Sequence, residues 1–335
     1  MKVGLRHLRP IAGMAGIALF FWLLQRTGPE VLLQNLRVLG WGVGALILLS
    51  GLRHILRAVA WSYCVQADGP RPLWFEFLGP RLVGEALNDL TPAGPLLGEP
   101  ARVLAVSRLM PAQTAASSVV LESLIFGLGA LLFMLSGIVL AVVAVAELRG
   151  FWWIGGGLVI CSLACLAMAW WVVNRRVSLL GRILDFLKHM GWRRAFLERH
   201  EQSVRAVEQI VFDFFLKSRR TFLWVLAIEI ATNFTGIGEA YLILKVTTAH
   251  SSLFAAYLVE SASRAVQLAF SFVPLGLGVQ EGAAAATLQA IGYAASEGIS
   301  LAVIRKIRSL FWAVIGLVVL ARYSIVLPAA ERSTT

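Results

Sequence analysis

Charged residues are scarce in this chain. Asp, Glu, Lys and Arg make up only 15% of its 335 residues, against about 25% in ordinary soluble domains. Hydrophobic residues reach 58% and mean hydropathy is +0.76, an excess that a soluble core cannot absorb. Cysteine is also sparse. Cys64, Cys161 and Cys165 all lie in apolar runs and read as packing residues, with no metal-ligand or redox spacing. There is no Walker A loop, no H-E-x-x-H and no G-x-S-x-G element, which removes the usual signatures of ATP hydrolysis, zinc proteolysis and serine hydrolysis. No cofactor or metal is expected, and an ATP-driven pump would need a partner chain. A cleavage signal is missing as well. Lys2, Arg6 and Arg9 precede a short apolar run, but Gln25-Arg26-Thr27-Gly28-Pro29 follows, so an uncleaved first span is expected.

What is present is apolar sequence in span-sized pieces. Each helical crossing needs about 20 apolar residues, because no water satisfies the backbone within hydrocarbon. Six stretches qualify: Pro10 to Gln25, Leu39 to Val65, Val119 to Ala146, Phe151 to Val173, Thr221 to Leu244, and Ser309 to Leu327. The net charge of +11 gathers between these runs, as orientation signals do, and does not point to nucleic acid. Asn174 to Arg220 alone contains 11 Lys or Arg, which places this segment, the N-terminus and the C-terminus in the cytoplasm. Within it Phe196, Val204, Val207, Val211 and Phe214 recur at helical spacing, predicting an amphipathic helix on the inner surface. Trp41, Trp152 and Trp153 near span ends suit interfacial belts.

Two stretches are neither spans nor loops. Residues 73–109 and 252–292 are mildly apolar, broken by Pro and Gly, and charged in mid-segment. Irregular backbone survives at membrane depth only inside protein or around a wet cavity, so both are expected to be re-entrant helical hairpins. Pro92-Ala93-Gly94-Pro95-Leu96-Leu97-Gly98-Glu99 in the first and Pro274-Leu275-Gly276-Leu277-Gly278-Val279-Gln280-Glu281 in the second share the pattern P-x-G-x-x-x-x-E at an offset of 182 residues. Entry from opposite sides makes them inverted repeats, an arrangement that puts a transporter's site between interrupted helices. The expected fold is therefore an all-α polytopic membrane protein, one transmembrane domain over 1–335. Its first half is 1–173, a basic cytoplasmic segment covers 174–220, and the second half is 221–335.

Around these motifs the sequence resembles the flippase-like family of lysylphosphatidylglycerol synthase transmembrane regions, which includes stand-alone members and is related to hopanoid-biosynthesis-associated membrane proteins. The resemblance rests on Asn88, Thr91-Pro92 and Gly98-Glu99-Pro100-Ala101-Arg102, on Pro274-x-Gly276-x-Gly278-x-x-Glu281, and on Arg53, Arg57 and Ala60-Trp61. It runs over roughly residues 5 to 327. It implies movement of a lipid between leaflets of the bacterial inner membrane. The larger synthases continue into an aminoacyl-transferase domain, whereas this sequence ends at Thr335, so lipid aminoacylation is not implied. Leu96-Leu97 and Gln280 depart from the smaller or basic residues usual beside the two glutamates, which leaves the headgroup open.

Charges at membrane depth cost about 2.5 to 3.5 kcal/mol each unless they pair or line a cavity. Arg81 with Glu85, and Glu260 with Arg264, can pair at i, i+4. Glu99 and Glu281 each follow a P-x-G break, where freed amides and a helix N-terminus can face the cavity. The expected substrate-binding set is Arg81, Glu85, Asn88, Glu99, Arg102, Glu122, Arg264, Glu281 and Arg305, with no catalytic residue. In it Arg81, Arg102 and Arg264 engage an anionic headgroup, and Glu99 and Glu281 gate it or carry protons. Arg305, Lys306 and Arg308 are expected just ahead of the last span on the outer side. His54 and Asn88 read as hydrogen-bonded bundle residues, and Asn233-Phe234-Thr235 as a sequon made inert by its span. The sequence leaves open an enzyme acting on a lipid-linked substrate, an ion-coupled carrier of a small solute, and a homo-oligomer or partner membrane protein.

Overall fold

The computed structural model describes residues 39–66, 72–92, 94–144, 152–178, 194–248 and 250–330, with a few isolated positions besides. Among the described residues there are ten α-helices and no strand. In chain order they are α1 (Gly42–Tyr63), α2 (Leu78–Leu90), α3 (Gly94–Val106), α4 (Ala112–Ala144), α5 (Trp152–Asn174), α6 (Arg194–Lys217), α7 (Arg219–Thr247), α8 (Leu253–Ala269), α9 (Val279–Gln289) and α10 (Ala295–Ala330). Three of them, α1, α4 and α7, are long and apolar enough to cross a membrane. The expected first span, residues 10–25, lies outside the described residues.

Local sequence sets the breaks. After α2, Thr91-Pro92 ends the helix, since Pro disfavours helical backbone in the residue before it, and α3 restarts at Gly94. After α8 the chain passes through the short turn Pro274–Gly276, where Leu275 has φ +52°, Gly276 +57° and Gly278 +80°. Ser252 opens α8 by accepting the Ala255 N–H at 3.0 Å, and Glu281 opens α9 by accepting the Gly278 N–H at 3.0 Å; each satisfies an amide that a helix start leaves bare. Both interrupted stretches thus fold as helical hairpins, α2–α3 and α8–α9.

The two halves interlock. α2 lies along α10, while α8 lies against α4, so each hairpin packs on the long helix of the other half; α1 and α7 run together between them. The breaks meet. A Cβ at Gly94 would stand 3.0 Å from the Ser271 carbonyl, and Leu275 and Leu277 pack on Ala86 and Leu90 of α2. Close backbone approaches depend on glycine. A side chain at Gly316 of α10 would overlap the Leu82 carbonyl and Ala86 of α2, and one at Gly98 would overlap Asn88 and the Gly84 carbonyl within the first hairpin.

Two expectations change. The C-terminal end of α6 does not rest free on a membrane surface, because Val211 and Phe214 join the buried cluster of Trp61, Leu121, Ile125 and Val225. The last helix starts at Ala295, not Ser309, so Arg305, Lys306 and Arg308 lie inside it. Hydropathy shortened that helix because it does not see that its charges are paired within the protein.

Replacing Gly316 or Gly98 by Ala should lower stability by about 1 to 3 kcal/mol, the usual cost of overpacking. Gly127→Ala, where nothing lies within 4 Å, should not. Thermal unfolding in detergent checks this, and equal midpoints for all three variants would contradict the interlock.

Candidate functional site

The interior of the bundle holds two groups of ion pairs joined through α1. Arg53 and Arg57 sit about one helical turn apart on α1, with His54 next to Arg53; Arg57 reaches one group and Arg53 the other.

The first group converges on Glu122 of α4, which is fully buried. Its Oε1 accepts from Arg57 at 2.7 Å and Arg81 at 3.2 Å, and its Oε2 from Arg102 at 2.6 Å. Three helices, α1, α2 and α3, are pinned to α4 by this one carboxylate. Arg102 also holds Glu99 at 2.9 Å, and Ser123 donates to the same Glu99 oxygen at 3.1 Å. Arg81 reaches Glu85 at 3.2 Å, and the His54 Nδ1 stands 3.5 Å from that carboxylate. Glu229 of α7 is 3.5 Å from Arg57. The Arg102 guanidinium stacks 4.3 Å over Trp61, and Arg57 3.5 Å over Phe126, contacts that offset lost hydration. The side chains of Glu85 and Glu99 keep 34% and 33% exposure, against 0% for Glu122 and Glu229. The group therefore opens outward on the first hairpin and closes against α4 and α7.

The second group has more arginine than carboxylate. Glu239 of α7 takes Arg53 at 3.0 Å, Arg305 at 3.5 Å, and Arg308. Glu260 of α8 takes Arg264 at 3.0 Å and Arg305 at 2.5 Å. Arg53 also donates to Thr235 at 3.2 Å and Arg305 to Ser263 at 3.2 Å. Four guanidiniums thus share two carboxylates, with Asp89 at the edge against Ser309. Glu281 pairs with Lys306 apart from both groups.

Of the nine expected residues, Arg81, Glu85, Glu99, Arg102 and Glu122 come together in the first group, and Arg264 and Arg305 in the second. The i, i+4 pairs form, but the deepest partners are across helices: Glu122 for Arg81, Arg305 for Glu260. Glu99 lies in the sixth position of α3, past the helix start, and is held by Arg102 and Ser123 rather than by freed amides. Glu281 does cap α9. Asn88 buries its Oδ1 without a hydrogen-bond partner against Gly98. Arg305, Lys306 and Arg308 face the protein interior and not the membrane surface, because Glu239, Glu260 and Glu281 draw them in. Arg53, Arg57 and Glu239 were outside the expected set. The signal for Glu239 was its presence inside a span, where an ionisable group is by default a site candidate. Among the described residues no His, Cys, Asp or Glu cluster could hold a metal ion.

An all-helical membrane protein with two interlocked hairpins around buried arginine and glutamate defines the class. The chain belongs to the family described as the lysylphosphatidylglycerol synthase TM region, matching it over residues 11–317. Comparison with curated proteins and with solved structures gave no match. The family places the chain among membrane proteins related to lipid handling.

Replacing Glu122 by Gln leaves Arg57, Arg81 and Arg102 short of their shared counter-charge. Removing one partner of a buried pair costs about 3 to 5 kcal/mol, so the unfolding midpoint should fall sharply. Asp213→Asn, at an exposed pair with Lys217, should leave it unchanged. Similar midpoints for the two variants would contradict the role given to Glu122.

Proposed function

We propose that this protein moves an anionic or phosphate-bearing lipid between the two leaflets, the headgroup passing along the polar seam between the hairpins. The observation that carries the reading is the arginine excess around Glu239 and Glu260. Four guanidiniums share two carboxylates within salt-bridge distance, and a buried excess of guanidinium suits bidentate recognition of phosphate. The family match supports lipid as the cargo.

The chemistry is exchange of partners. A phosphate entering beside Glu85 and Glu99, the partly exposed carboxylates, takes over Arg81 or Arg102 while the displaced carboxylate turns to water. Arg264 and Arg305 offer the next station. Glu99 and Glu281 restore the protein's own pairs as the headgroup leaves, which keeps each state uncharged enough to sit in the membrane. The two hairpins enter the bilayer from opposite faces as inverted repeats. The basic segment 174–220 supports an orientation in which it and both termini lie in the cytoplasm of a bacterial inner membrane.

Proteoliposomes carrying fluorescent phosphatidylglycerol test the function. The protein should make inner-leaflet dye accessible to an external quencher, and lipid identity should be unchanged by mass spectrometry. Glu99→Gln and Glu281→Gln, folded and inserted, should abolish the exchange. Leaflet distribution equal to that of protein-free liposomes would overturn the reading, and a new lipid species would replace it with an enzyme.

A further inference from the structure

Behind the second hairpin lies a cavity of about 290 Å³ between α4, α8 and α9. Its walls are apolar, with Gly137, Ala262 and Ala286 beside the larger Met134, Ile138 and Leu258. The hydroxyls at its edge are already committed, Ser261 to the Met134 carbonyl at 3.4 Å and Thr287 to the Ala283 carbonyl at 2.7 Å. Both hydroxyl protons are used locally, and the lining of the cleft offers a polar ligand no charged side chain.

The position of the cavity selects its occupant. Ser261 and Ala265, which line it, are the chain neighbours of Glu260 and Arg264, so adjoining faces of α8 carry the apolar cleft and the arginine-rich group. The facing interface in the other half is shut: α2 lies on α10 with Gly316 against the Leu82 carbonyl. The contact of α8 with α4 is also close where Gly137 meets Ser261, and the cleft opens beside that point. We propose that the cleft between α4, α8 and α9 is a binding site for one hydrocarbon chain of the lipid whose anionic headgroup reaches Arg264. This rests on the function proposed above and adds the site that recognises the lipid's tail.

A cleft of about 290 Å³ has room for part of a single unbranched chain. Bilayer lipid is as apolar as the cleft, so burial of methylenes alone gives no preference. The cleft therefore gains its preference from packing and from the tethered headgroup, not from hydrophobicity itself. Chain length and branching should accordingly matter to the protein as well as headgroup charge.

The test uses the full chain in nanodiscs containing phosphatidylglycerol with a diazirine on one acyl chain. Photolysis and peptide mass spectrometry should label residues 134–141, 258–265 and 286–291 at least fivefold more than the lipid-exposed face of α5 at Ile160, Leu163 and Met168. Ala286→Phe, checked for an unchanged unfolding midpoint, should remove most of the cleft labelling while α5 labelling stays constant. Labelling of the cleft no stronger than that of α5, or unaffected by Ala286→Phe, overturns the site. If leaflet exchange persists in that case, the transport reading stands without it. Strong cleft labelling with no leaflet exchange keeps the chain site and removes transport.

Discussion

Everything in this bundle depends on keeping ionised arginine inside a membrane protein. A guanidinium does not give up its proton, and an unpaired one at membrane depth is among the more costly groups to bury. Seven arginines lie in or beside the two groups: Arg53, Arg57, Arg81, Arg102, Arg264, Arg305 and Arg308. Each has at least one carboxylate partner, and most partners come from another helix. The charges are therefore the fasteners of the fold. Glu122 joins α1, α2, α3 and α4; Glu239 joins α1, α7 and α10; α1, supplying Arg57 to one and Arg53 to the other, couples the halves.

The same constraint makes a static ion lattice unlike a hydrophobic core. A buried salt bridge is weak evidence for stability, since matched apolar side chains often do as well. In the function proposed above its use lies in exchange: a guanidinium held by carboxylate can be handed to a phosphate of similar geometry without ever being bare. On that proposal the transfer starts at Glu85 and Glu99, the open edge, with Glu122 and Glu229 sealed behind them. The breaks at Thr91–Gly94 and Phe270–Gly278 meet where the hairpins cross, with Gly94 against the Ser271 carbonyl. Movement of one hairpin must therefore be felt by the other.

Much of this was legible in the sequence. The apolar runs located α1, α5 and α7 to within three residues and α4 with its start seven residues late, at Val119 instead of Ala112, and the P-x-G breaks located both hairpins. The i, i+4 spacing of Arg81 with Glu85 and of Glu260 with Arg264 announced local pairs. What was hidden is whatever depends on which helices touch. Glu239 has no basic residue one turn away on α7; its partners come from α1 and α10, and no pattern local to residues 235–243 reveals them. The start of α10 was hidden for the same reason. Three cations close together look like a loop until their carboxylates are seen across the interface. Glu99 shows the converse, since its motif suggested a helix start while the chain resumes helix five residues earlier at Gly94.

The central claim is that the seam between the hairpins receives a lipid headgroup. A density map of the protein in nanodiscs of anionic lipid tests it most directly. The account predicts headgroup density within hydrogen-bonding distance of the Arg264 or Arg305 guanidinium, with Glu260 drawn away from at least one of them. A map in which Arg264 and Arg305 remain bound only to Glu239 and Glu260, with lipid confined to the outer surface of the helices, would contradict it.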